Sequence, residues 1–179
     1  MPTALDEFRL RLANVTPCEI LLTGAKVWDG SVNPDHSKHV AHANWIGTDI
    51  EDGSGVEIVA DLSAIDQQTD RKFDGVFSPA TLEHIERPWC AVIAMANVLK
   101  PGGILFIHTH QTFPLHGYPS DYFRFSTEAL RTMCFDARLE VLAAGYDNPC
   151  TITPPPSVEV WNVAAEAFLN VNICARKHD

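Results

Sequence analysis

Three groups of side chains in this sequence have chemistry suited to acting on a ligand. The densest lies between Thr112 and Phe125, where His116, Tyr118, Asp121, Tyr122 and Arg124 crowd together just after His108 and His110. An unperturbed imidazole titrates near neutrality, which makes His116 the first candidate for a general base. Asp121 either orients that imidazole or pairs with Arg124 in a structural clasp, the carboxylate capping the following helix while the guanidinium bridges the loop. The second group is the pair of acids Asp49 and Asp61, each closing a short apolar run. Ionised carboxylates only accept hydrogen bonds, so they suit hydroxyls and amines; the bland alternative is two polar strand ends. The third group is His36, His39 and His42. Intervals of three spread these rings around a helix, and no cysteine or carboxylate completes a recognised ligand pattern, so no metal is expected there. Glu83 and His84 either close a pocket or cap a helix. The turn Gly53-Ser54-Gly55 looks like a phosphate loop, but no helix of useful length follows it, and a tight strand-to-strand turn is the better reading.

The elements that must position these residues are best defined from Phe73 to His110. Phe73, Val76 and Phe77 form one apolar run and Ile104 to Ile107 another. Between them Ala91, Ala94, Met95, Val98 and Leu99 recur at helical spacing, predicting strand, helix and strand. Pro101 is expected to stop the helix and Gly102-Gly103 to turn the chain into the second strand. Such a unit gives a parallel pair with a right-handed crossover, covered by helices on both faces. Earlier in the chain, Leu5 to Ala13 predicts a short helix or docking arm, and Glu19 to Leu22 a first strand. Residues Val27 to Asn44 read as a polar loop with a short irregular helix, then Trp45 to Ile50 and Val56 to Leu62 as strands. Later, Ser126 is an N-cap candidate for a helix, Leu139 to Ala143 and Phe168 to Ala175 are strands, and Pro154-Pro155-Pro156 is a rigid spacer. The alternation implies an α/β fold with an open doubly wound sheet.

At 179 residues and 46% hydrophobic content, one domain with its own core is expected. A net charge of −10 argues against nonspecific nucleic-acid binding, which needs clustered Lys and Arg. No apolar run reaches membrane-spanning length, and the N-terminus lacks the basic-then-apolar pattern of a secretory signal. The five cysteines, Cys18, Cys90, Cys134, Cys150 and Cys174, are odd in number and lack metal-ligand spacing. Free thiols and a cytoplasmic location are the expectation.

The segment FDGVFSPATLEHI followed by VLKPGGILFI resembles the second half of the Rossmann-like (class I) S-adenosylmethionine-dependent methyltransferases. Leu82-Glu83-His84 and Leu99-Lys100-Pro101-Gly102-Gly103 stand where that family has a Leu-Glu-His segment and a Leu-Lys-Pro-Gly-Gly turn. The resemblance implies a seven-stranded, mostly parallel sheet in the order 3-2-1-4-5-7-6, the last strand antiparallel, over about residues 18 to 177, with residues 1–17 as an N-terminal arm. It also implies a cofactor, S-adenosylmethionine, held by Gly24, Asp49, Ile50, Asp61, Leu62, Ser78 and Pro79. Asp49 would take the ribose hydroxyls and Asp61 the adenine amine, with Leu62 beside the ring; Ser78 and Pro79 would line the methionine and sulfonium side. The family normally ends its first strand with an acid and a Gly-x-Gly loop, whereas this chain reads Leu22-Thr23-Gly24-Ala25-Lys26. Lys26 stands where a glycine is expected, and either neutralises the cofactor carboxylate or obstructs it.

The string His116-Gly-Tyr-Pro-Ser-Asp-Tyr-Phe-Arg-Phe-Ser126 is similar to a His-x-x-Pro-x-Asp-Tyr-x-Arg-Phe-Thr segment in a subset of these enzymes, often found among those acting on sugars. The implied activity is methyl transfer to an oxygen of a saccharide-like or other small acceptor, with His116 and Asp121 as catalytic candidates. The alternative is a non-catalytic methyltransferase-like subunit, acting as a scaffold for an active partner or in a homo-oligomer. A nicotinamide-dependent reductase fits less well, because no G-x-G-x-x-G follows the first strand.

Overall fold

The computed structural model describes residues 2–27, 34–117, 119–155, 157 and 165–179; the Trp28 and Gly30 end of the glycine segment, Tyr118 and Pro156 lie outside them. Helix α1 (Ala4–Leu12) begins with a reciprocal capping box, in which Thr3 Oγ1 accepts from Asp6 N and the Asp6 carboxylate accepts from Thr3 N. Its buried residues Ala4, Phe8 and Leu12 fall one turn apart on one face. Phe8 is fully buried, its ring 5.4 Å from Phe77 and 5.9 Å from Phe106. The expected N-terminal arm is therefore a core element, because its apolar stripe has a sheet face to cover.

Strands β1 (Glu19–Thr23), β2 (Asn44–Asp49), β3 (Ile58–Val59), β4 (Phe73–Pro79), β5 (Leu99–His110), β6 (Leu139–Ile152) and β7 (Ala165–Lys177) form one sheet in the order β3-β2-β1-β4-β5-β7-β6. The pairs among β1 to β5 are parallel, and β7 runs antiparallel to both β5 and β6. This is the expected order. Alternate residues of the central strands feed two cores. Leu21, Ile46, Val76, Leu105 and Ile107 pack with helix α3 (Pro88–Val98) and with Leu130 and Cys134 of helix α4 (Thr127–Asp136). Ile20, Phe77, Ile104, Phe106 and Cys174 pack with α1 on the other face.

Several element boundaries differ from the sequence reading. Helix α3 ends at Val98, and Leu99 to Gly103 already belong to β5 as a bulge: Phe73 pairs with Leu99 but Gly75 with Ile104. Strand β3 covers only Ile58–Val59, because Asp61 turns the chain by capping the 3₁₀ turn Leu62–Ala64 and precedes the short helix α2 (Ile65–Gln68). Strands β6 and β7 extend well past Ala143 and Phe168, paired from Leu139↔Lys177 to Ile152↔Ala165. Continuous pairing with β7 overrides the turn-forming Gly145, Asn148 and Pro149, and β6 is an edge strand, where proline is tolerated. The predicted irregular helix appears as the 3₁₀ turn Ser37–His39, and Ser126 Oγ caps α4 by accepting from Ala129 N at 3.2 Å. All five cysteines are free, with Cys18, Cys134 and Cys174 buried. No helix among the described residues is long and apolar enough to cross a membrane.

Candidate functional site at the carboxyl ends of the strands

In an open parallel sheet, the strand order reverses beside β1, and the crevice at the carboxyl ends there is the natural ligand site. Asp49 closes β2, and Asp61 lies two residues past Val59, which pairs with Asp49. The two acids therefore stand on neighbouring strand tips at one edge. The Asp49 carboxylate accepts from Lys26 N at 3.1 Å and Glu51 N at 3.2 Å, tying the segments after β1 and β2 together. A carboxylate has about four acceptor positions, so these two bonds do not exhaust it. Asp61 Oδ1 accepts from Ser63 N at 2.8 Å, while its residue remains exposed beside buried Leu62. Ile50 is exposed at the same edge.

The first-strand loop is held away from ordinary flexibility by close contacts. Gly24 has φ +61°, and a Cβ there would lie 2.6 Å from Thr81 Oγ1. Only glycine fits both the left-handed backbone and that approach. Thr23 Oγ1 donates to buried Ser78 Oγ at 2.8 Å and Thr81 Oγ1 donates to the Pro79 carbonyl at 2.8 Å. The ends of β1 and β4 are thereby joined by hydroxyls, and the Ser78 side chain is spent internally while Pro79 is partly exposed. Lys26 Nζ reaches Glu51 Oε2 at 2.5 Å, and its stem lies against Gly53, with Cγ 3.1 Å from where a Cβ would sit. Its charge is thus directed at the loop after β2. The Gly53-Ser54-Gly55 segment packs over the same loop: Val27 N donates to Ser54 O at 2.9 Å. It joins two parallel strands rather than forming a hairpin.

On the other side of β4, Glu83 is the centre of a polar cluster and is fully buried. Its Oε2 accepts from Thr109 Oγ1 at 2.7 Å. His110 Nε2 lies 3.0 Å from Oε1, close but without hydrogen-bond alignment, which leaves Oε1 without a hydrogen-bond partner. Asn170 Nδ2 donates to His110 Nδ1 at 3.2 Å, placing the His110 proton on the nitrogen that faces Glu83. Burial pushes the Glu83 carboxyl up, but the opposing pull of His110 and Thr109 wins and holds it below its ordinary value. The Glu83 carbonyl also accepts from Tyr122 N at 2.8 Å, so this residue anchors the 111–125 loop rather than capping a helix.

Within that loop, Asp121 and Arg124 form a two-pronged pair, Oδ1 to Nη1 at 2.5 Å and Oδ2 to Nη2 at 2.7 Å. Arg124 also donates to the carbonyls of Phe113, Pro114 and Phe123, and Asp121 Oδ2 accepts from His116 N at 3.0 Å. The side-chain hydrogen bond from Arg124 holds the Asp121 carboxyl well below the usual carboxylate range. The clasp reading therefore describes this pair, except that Ser126 rather than Asp121 caps the helix. His116 Nδ1 donates to the Pro114 carbonyl at 3.1 Å and lies 3.4 Å from Asp121 Oδ2; its ring meets His84 edge-on at 4.8 Å and His110 at 5.2 Å. His84 Nδ1 donates to the Ser120 carbonyl at 2.7 Å. The sequence singled out His116 and offered Glu83 as closing a pocket or capping a helix, but not as the fully buried acid beside His116. On the α1-side core, His39 stacks on Phe77 and His36 lies tilted against the same ring. A surface hollow lined by Phe135, Asp136, Arg138, Leu139 and His178 lies at the β6 edge of the sheet.

A sequence profile described as a methyltransferase domain matches residues 29–107. No curated protein matches the sequence. Among solved structures, the chain is similar to the 1,6-didemethyltoxoflavin-N1-methyltransferase of Burkholderia thailandensis with bound 1,6-didemethyltoxoflavin and S-adenosylhomocysteine (TM-score 0.66, 15% identity, 98% of this chain and 77% of that one). It is likewise similar to a SAM-dependent methyltransferase from Archaeoglobus fulgidus (TM-score 0.65, 15% identity, 97% and 94%). A third likeness is to a complex of the Haloferax volcanii Trm112 methyltransferase activator with its methyltransferase (TM-score 0.60, 15% identity, 98% and 89%).

Proposed function

We propose that this chain, which has the sheet order of the Rossmann-like (class I) methyltransferases and matches a methyltransferase-domain profile over residues 29–107, uses S-adenosylmethionine to methylate a small acceptor. The observation that carries this reading is the pair Asp49, at the end of β2, and Asp61, just past the neighbouring β3, on the carboxyl ends of the strands beside β1. Asp49 retains acceptor capacity for the ribose diol, Asp61 is exposed for the adenine amine with Leu62 and Ile50 beside it, and Gly24 and Pro79 are the proposed floor toward the methyl group, backed by buried Ser78 through its bond with Thr23. The bound S-adenosylhomocysteine of the Burkholderia enzyme supports the same cofactor class. Methyl transfer is an in-line displacement at an activated carbon, so the protein's work is to align the nucleophile and, for a hydroxyl, remove its proton. His116 is the proposed base, and Asp121 a positioning residue that holds the His116 backbone and the loop. A saccharide-like hydroxyl is the proposed acceptor, and the cytoplasm the proposed location, consistent with five free thiols. Calorimetric titration with S-adenosylmethionine tests the reading; a folded chain that takes up none at about millimolar cofactor contradicts it.

One observation favours a second reading, a methyltransferase-like subunit that serves an active partner. The first strand ends in Thr23 rather than an acid, and Lys26 replaces the glycine that would let the backbone approach a ligand carboxylate. The Haloferax volcanii neighbour, solved in complex with a methyltransferase activator, supports association of this fold with a partner protein. Turnover by the isolated chain excludes this reading, whereas an inert chain that copurifies with an active methyltransferase supports it.

A further inference from the structure

We propose that Glu83, His84 and His116 form a binding site for a divalent transition-metal ion of the zinc class. One ligand atom from each lies within 4.8 Å of the others, so some point is no more than about 2.8 Å from all three. Zinc bonds to nitrogen and carboxylate oxygen are about 2.0–2.2 Å, so each side chain needs to close by less than about an ångström. Glu83 and His84 come from the 3₁₀ turn after β4 and His116 from the loop after β5, so the site bridges two segments already tied together by the Glu83 carbonyl.

The donors are prepared as metal ligands usually are. His84 Nδ1 donates to Ser120 O and His116 Nδ1 to Pro114 O, the outer hydrogen bonds that hold a metal-binding imidazole in orientation. Glu83 Oε2 is fixed by Thr109 Oγ1, and Oε1 is the buried oxygen left without a hydrogen-bond partner, 3.9 Å from His84 Nε2. A buried acceptor in that condition is unfavourable by about 1–3 kcal/mol, and more when charged, so it calls for a partner. The competing partner is His110, 3.0 Å away; it is poorly aligned for a hydrogen bond and is held from behind by Asn170. The other nearby charges, Asp121 and Arg124, neutralise each other. Two imidazoles and one carboxylate leave a coordination position open, the pattern of a site that also binds a solvent or substrate oxygen.

This inference does not depend on the cofactor reading. It bears on one part of it: an ion held by His116 would occupy a ring nitrogen as a ligand, and an acceptor hydroxyl bound to that ion would be acidified and release its proton to solvent rather than to His116. The test is a titration of the chelator-stripped full chain with Zn2+, without S-adenosylmethionine, followed calorimetrically and by the visible absorption of the Co2+ form. The expected result is one ion per chain, with affinity at least tenfold weaker in Glu83→Gln, His84→Asn and His116→Asn, and unchanged in His36→Ala. Circular dichroism identifies any variant that does not fold, and the two histidine variants carry the test if Glu83→Gln fails. Absence of one-to-one binding at about millimolar zinc, or equal affinity in the histidine variants, overturns the proposal.

Discussion

Replacing Glu83 by Gln isolates what the buried carboxylate contributes to the loop that faces the acceptor. The substitution preserves shape and leaves an oxygen for Thr109 Oγ1, but it removes the charge opposite His110 and sets an amide donor against an imidazole donor. Leaving two buried donors opposed costs about 1–3 kcal/mol, so a loss of that size is expected. For a chain of this length that lowers Tm by roughly 2–12 °C. The pH dependence provides a second signature. Glu83 titrates below its ordinary carboxyl value in the folded chain, so its contribution is complete above that ordinary value and disappears as pH falls through the lowered one. Thermal unfolding of wild type and variant, followed from neutral to acid pH, should therefore show two curves that converge on acidification. Equal Tm values at neutral pH, or a difference that does not shrink with acid, would refute the role given to this carboxylate.

Three further outcomes follow from the same physical arguments. Phe8→Ala removes a fully buried ring between α1, Phe77 and Phe106 and should destabilise the chain by about 3–5 kcal/mol in urea unfolding; a change within about 0.5 kcal/mol would mean that α1 does not belong to the core. Burial pushes the thiols of Cys134 and Cys174 up to about 12 and that of Cys18 to about 11, so a thiol reagent near neutral pH should label only Cys90 and Cys150 quickly and all five after denaturation. Rapid labelling of Cys174 in the native chain would contradict its burial. His116→Ala should lower kcat by about a hundredfold or more with little change in cofactor Kd, and an unchanged kcat removes it from proton transfer.

The sequence reveals most where one periodicity meets one edge of the fold. Val76-Phe77 and Ile104 to Ile107 alternate between two covered faces, and α3 carries a full apolar stripe, so the central parallel unit is readable. Asp49 and Asp61 are readable because each terminates an apolar run, although the end of β3 depends on Asp61 acting as a local cap, which shortens the strand. The Pro101-Gly102-Gly103 segment reads as a turn because its residue types usually make one; pairing with Phe73 draws Leu99 into the sheet instead and leaves a bulge. The length of β6 was hidden for a related reason, since Asn148 and Pro149 look like turn residues until β7 pairs with them. Glu83 was least accessible. Its character comes from Thr109, His110 and the 111–125 loop, contacts across long sequence separation that no local pattern records. Arg124, by contrast, was legible as a bridge because it lies three residues from the acid it grips.

The most direct measurement is calorimetric titration of S-adenosylmethionine into the wild-type chain and into Asp49→Ala, each first shown to be folded. Binding by the wild type, weakened about ten- to a hundredfold in the variant, is the predicted result, corresponding to the loss of charge-assisted hydrogen bonds of about 1.5–3 kcal/mol. Equal affinity in both chains would remove Asp49 from the cofactor site, and no uptake by the wild type would contradict the use of this strand edge for S-adenosylmethionine.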